Sequence, residues 1–173
     1  MAHYQRLGDV PPKRHTQFRN ERGSLLYEEL MGEEGFSSDA SLLYHRGVPS
    51  AIVDSQVWEL PDLMTQPNHP LKPRHLKLHD LTTGQDWKSR DAVNDRRLVM
   101  GNGDVRISYV AAGEVSPYYR NAIGDECVFV ESGNATVETV FGLLKAKPGD
   151  YVVIPRASTH RWIPHTDAGQ PVR

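Results

Sequence analysis

Across the second half of the chain, short runs of β-branched and aromatic residues alternate with polar ones, cut at tight spacing by Gly, Asn, Asp and Pro. A period of two between turn residues predicts half-buried antiparallel strands. The runs cover 96–100, 105–111, 126–131, 135–141, 143–146, 151–155 and 161–164. Gly101-Asn102-Gly103-Asp104 joins the first two as a hairpin, because Asn-Gly adopts positive φ at little cost. Gly133-Asn134, Gly142 and Pro148-Gly149-Asp150 supply later turns. A further strand is expected from Arg74, placing His75, Lys77 and His79 on one face and Leu76 and Leu78 on the other. Two histidines on one strand face can hold a metal, but the lysine between them disfavours a second positive charge, and a solvated face is expected. The pattern as a whole predicts an all-β jelly-roll sandwich or barrel over 74–173.

Residues 1–73 read differently, as an extended, mostly irregular amino-terminal arm with packing segments. The first 23 are polar and basic, with Pro11-Pro12 and the run Lys13-Arg14-His15, and are expected to form a solvated leader. Ser24 is placed to cap a short helix over 25–31, ended by Gly32, with Leu26, Leu30 and Met31 as its apolar face. Residues 35–50 show neither period, and Ser37, Ser38 and Asp39 favour turns, so this stretch is expected to be irregular and to pack on a partner surface. Pro61, Pro67, Pro70 and Pro73 restrict 58–73 to loop and extended structure.

Composition narrows the class. Charged residues make up 24% and the formal net charge is −2, so neither nucleic acid nor a membrane surface is an expected partner. A single cysteine, Cys127, excludes an internal disulfide framework and suits a reducing, cytoplasmic setting. It is expected to be a small buried hydrophobe. No apolar run is long enough for a signal peptide at the amino terminus or for a membrane span. Hydrophobic residues are only 38%, beside 14 Gly and 12 Pro. So lean a composition suits long arms and an apolar surface completed by something else.

One constellation carries candidate chemistry. Gly113 is followed by five residues and then Tyr119, next but one Asn121, then Glu126, and after six more residues Gly133. A second constellation runs from Gly149 through Pro155, Ala157 and His160 to Pro164. These spacings resemble the two motifs of the cupin family, with Tyr119 and Asn121 where histidines belong, Ala157 in place of a glycine and Pro164 in place of an asparagine. A cupin metal site needs two or three imidazoles and one carboxylate. A protonated phenol and a neutral amide are poor ligands, leaving Glu126 and His160 as weak metal candidates. No catalytic residue is assigned, and a polar pair hydrogen-bonded inside the barrel is expected instead. An alternative is a stand-alone module holding a small carboxylate ligand at the barrel mouth with Arg120, His160 and Arg161.

Over essentially its whole length the chain also resembles the bacterial type of homogentisate 1,2-dioxygenase. The resemblance is carried by His15-Thr16-Gln17-Phe18-Arg19, Glu28-Glu29-Leu30-Met31-Gly32, Glu34-Gly35-Phe36-Ser37-Ser38 and Ser41-Leu42-Leu43-Tyr44-His45-Arg46. It continues in Tyr118-Tyr119-Arg120-Asn121, Gly124-Asp125-Glu126 and Pro148-Gly149-Asp150-Tyr151. It implies an Fe(II) enzyme of tyrosine and phenylalanine breakdown that cleaves the ring of homogentisate to give maleylacetoacetate. It also implies that the iron ligands and the acid-base histidine lie in a carboxy-terminal cupin half. The amino-terminal half is then a degenerate barrel with arms used in trimer assembly. This chain resembles that first half, so no family ligand falls on its residues, no bound metal is expected, and the chain alone is expected to be inactive.

Overall fold

The computed structural model of the chain describes residues 17–32, 34, 35, 37, 40–59, 64–166 and 169–173. The basic run Lys13-Arg14-His15, together with Phe36, Ser38, Asp39 and Pro61, lies outside them. β1 (Tyr27–Gly32) pairs antiparallel with β2 (Ala40–His45) in a continuous register from Tyr27 opposite His45 to Gly32 opposite Ala40. Two expectations fail here, the helix over 25–31 and the irregular segment over 35–50. The helical apolar face was weak, and pairing with a partner ten or more residues away outweighs local propensity. A cross-strand contact at 2.8 Å between His45 Nε2 and Glu29 Oε2 adds to the hairpin.

The strand expected from Arg74 is also absent. Residues 71–77 have no ladder partner among the described residues, and Leu78–Thr82 forms a 3-10 turn. His79 therefore does not share a strand face with His75; its Nε2 meets Glu131 Oε1 at 2.6 Å. A second 3-10 turn, Trp87–Ser89, begins after Asp86, whose side chain accepts from the Lys88 N–H. The hairpin of β3 (Arg97–Gly101) and β4 (Arg106–Tyr109) forms as expected. Its turn uses a different device. Gly103 does not take up positive φ, and Asn102 Oδ1 accepts from the backbone N–H groups of Asp104 and Val105, both at 2.8 Å.

Five further strands follow: β5 (Glu126–Phe129), β6 (Asn134–Thr139), β7 (Gly142–Ala146), β8 (Tyr151–Ile154) and β9 (His160–His165). β5 pairs with β8, and β6 lies between β7 and β9, all antiparallel. Val152 and Ile154 from the first sheet, with Val130 just beyond β5, meet Ala135, Val137, Ala146 and Trp162 from the second in one buried cluster. The chain is all-β and cupin-like, with its core between these two sheets. Two motif glycines have physical reasons. A Cβ at Gly113 would lie 2.5 Å from the Trp87 ring, and one at Gly133, where φ is +80°, would lie 2.9 Å from the Pro171 carbonyl oxygen.

Cys127 is exposed, contrary to expectation. It alternates with Glu126 and Val128, which turn inward, and shares the outer face of the β5–β8 sheet with Phe129, Tyr151 and Val153. Tyr151 and Val153 are 69% and 65% exposed, so this sheet carries apolar side chains on both faces. Among the described residues no helix is long and apolar enough to cross a membrane.

Candidate functional site

The motif positions converge inside the fold. Tyr119 and His160 exchange backbone hydrogen bonds at 2.8 and 3.0 Å, which brings the loop before β5 onto the start of β9. Their rings meet edge to face at 5.7 Å. Glu126, at the start of β5, turns inward toward the same place. Asn121 Nδ2 donates to Glu126 Oε1 at 3.4 Å, while Asn121 Oδ1 accepts from the backbone of Ile123 and Gly124. The Asn121 amide thus serves both the Glu126 carboxylate and its own loop.

The charge of Glu126 is met by a residue outside either motif. Arg96 Nη2 lies 3.0 Å from Glu126 Oε2, with both side chains largely shielded from solvent. Arg96 is held in turn by its Nε, which donates to the Ala92 carbonyl at 2.7 Å, and its guanidinium sits 5.6 Å over the Tyr119 ring. The carboxylate oxygen has a close cation but no well-aligned hydrogen bond. Burial, and then the negative charge of Glu126, push the Tyr119 phenol up, so it stays protonated over the working range. Trp58 packs on this side, its ring centroid 5.7 Å from that of Tyr119 in an edge-on arrangement and its indole N–H donating to Asn94 Oδ1 at 3.0 Å.

His160 is 1% exposed. Its Nδ1 lies 3.0 Å from the Ser158 carbonyl oxygen, an acceptor only, so Nδ1 carries a proton there. Neither Nε2 nor the neighbouring interior indole N–H of Trp162 has a hydrogen-bond partner among the described residues.

The donor set does not fit a divalent metal. It offers one imidazole and one carboxylate, and the carboxylate is already neutralised by a fixed guanidinium. Among the described residues no three His, Cys, Asp or Glu side chains are gathered as a metal ion would require. Arg96 occupies the electrostatic role that a cation would take. Sequence reasoning missed it because it precedes the motif. The available signal was the pair Arg96-Arg97 opening a strand, where alternation turns one of the two inward.

The three residues considered for a carboxylate ligand sit around the Tyr119–His160 bridge but do not all share one face. His160 and Arg161 are consecutive on β9 and project to opposite faces. The Arg161 side chain pairs with Glu138 and lies 4.5 Å over the Tyr118 ring. Arg120 donates to Thr159 Oγ1 at 2.9 Å and stands 3.9 Å from Glu29.

No family model matches the chain, and no solved structure matches it significantly. A protein of Saccharolobus solfataricus that bears the name "Putative dioxygenase SSO1533" is 37% identical over 162 residues. The match covers 92% of this chain and 41% of that relative. The chain therefore spans about two fifths of the length of this relative.

Proposed function

We propose that this chain is the amino-terminal, non-catalytic half of a homogentisate 1,2-dioxygenase. In this reading it is the scaffold on which an Fe(II)-bearing carboxy-terminal cupin half opens the ring of homogentisate to maleylacetoacetate. The carrying observation is the similarity over 92% of the chain to a relative named as a dioxygenase, of which it accounts for 41%. The specific substrate rests on the amino-terminal motifs, and the assignment of a silent role rests on the Arg96–Glu126 pair standing where a ligand set would be. The same reading makes the enzyme a cytoplasmic, trimer-based oligomer. The alternative, a small-carboxylate module, is disfavoured because Arg120 and Arg161 already face Glu29 and Glu138.

The test is oxygen uptake with homogentisate and Fe(II), for the chain ending at Arg173 and for the product of the entire reading frame. Turnover by the longer product alone is expected. Turnover by residues 1–173 alone, or none by the longer product, would overturn the reading.

A further inference from the structure

The chain reaches Arg173 between the β3–β4 and β5–β8 sheets, which no strand of the described residues joins. Ala112, just beyond β4, and Val172 exchange both backbone hydrogen bonds, at 2.8 and 2.9 Å, as a narrow antiparallel pair does. On the other side the Glu131 N–H, just beyond β5, donates to the Arg173 carbonyl at 2.7 Å, and the Arg173 N–H donates to the Ser132 carbonyl at 2.9 Å. Val172 and Arg173 are thus the first two residues of a ladder, antiparallel to both flanking segments.

Strand alternation tells which backbone groups continue that ladder. The Val130 N–H donates to Asp150 and its carbonyl accepts from Gly149, so the even-numbered residues of this strand face β8. Cys127 and Phe129, like Glu131, then turn their N–H and C=O groups to the opposite edge. On the other flank Ala112 faces Val172, and continuing the period of β4 (Arg106–Tyr109) through Val110 would turn that residue the same way. No β strand lies beside β4 or β5 on those edges among the described residues, and Val110 has no backbone hydrogen bond there. Two edges that each run antiparallel to Val172–Arg173, one strand apart in ladder order, are a template for pairing.

We propose that the slot between β4 and β5 is filled by one extended strand, antiparallel to both, made by the residues that follow Arg173 in a longer protein. The proposal rests on the reading of this chain as part of a longer enzyme. The occupant is argued from the direction in which the ladder leaves Arg173 and from the 41% share of the relative that the chain covers. That strand would join the β3–β4 and β5–β8 sheets into a single five-stranded sheet, making the folding of the scaffold depend on the segment that follows it.

Amide hydrogen exchange at Val110, Cys127 and Phe129 tests this, comparing residues 1–173 with the product of the entire reading frame. Slowing of these amides by roughly 100-fold or more in the longer product is expected, as for ladder groups that open only with the core. Equal exchange in the two proteins overturns the proposal, as does a reading frame that stops directly after Arg173. If the shorter chain aggregates, the same amides are compared within the longer protein with those on the unpaired edge of β7. Protection beyond that edge supports the strand, and exchange as fast as that edge overturns it. The readout is independent of ring cleavage: a longer protein with protected amides and no oxygen uptake removes the dioxygenase reading and keeps the strand.

Discussion

Arg96 and Glu126 face each other at 3.0 Å in the interior, from segments thirty positions apart in the chain. The arginine is anchored by Ala92 and the carboxylate by Asn121, so the pair is held from both ends.

Breaking this pair from one side is expected to be costly, because it strands a shielded charge. Arg96→Met is expected to lower the unfolding free energy by about 3–5 kcal/mol. Adding Glu126→Gln to that variant is expected to restore most of the loss. Urea unfolding of the two single variants and the double variant measures the coupling directly. Additive losses would show that the two groups do not act as a pair.

Ala157 stands where the second cupin motif has glycine, and its φ is +64°. Its N–H donates to the Asn121 carbonyl at 2.6 Å, which ties the left-handed turn to the loop carrying the interior amide. An L side chain in that conformation costs about 1–2 kcal/mol. Ala157→Gly is therefore expected to raise the unfolding free energy, by somewhat under that amount because glycine also loosens the unfolded chain. Thermal unfolding of the variant beside the parent decides it, and a lowered melting temperature would show that the methyl group contributes packing instead.

Glu131 links three segments, accepting from Tyr109 Oη at 2.8 Å and meeting His79 Nε2 at 2.6 Å. Burial raises its pKa, but the hydrogen bonds from Tyr109 and His79 outweigh that and hold the carboxyl below its ordinary 4.5. A depressed acid contributes stability that is present above its unfolded pKa and is lost as pH falls through the folded one. Burial, and then the hydrogen bond to Glu131, push the Tyr109 phenol well above its ordinary 10.0. That contribution is present below the unfolded value and is lost as pH rises through the folded one. Melting temperature against pH is expected to fall less steeply on the acid side in Glu131→Gln and on the alkaline side in Tyr109→Phe. Unchanged slopes in both variants would remove this cluster from the pH dependence of folding.

The sequence alone determined the strand content from residue 96 onward, the positions of the turns and the cupin-like spacing. Those features depend on period-two alternation, on Gly and Pro, and on residue types within a few positions of each other, all of which are local. It also determined that Tyr119 and Asn121 make a poor ligand set, because that follows from side-chain chemistry. Only the tertiary structure decided the rest. The 25–31 segment became a strand because Ala40–His45 lies beside it. His79 left the expected strand because Glu131 and Tyr109 are its neighbours in space. Cys127 came out exposed because the outer face of β5–β8 carries no cover among the described residues. Above all, Arg96 became the interior cation because the fold sets it against Glu126, and no spacing in the chain records that contact.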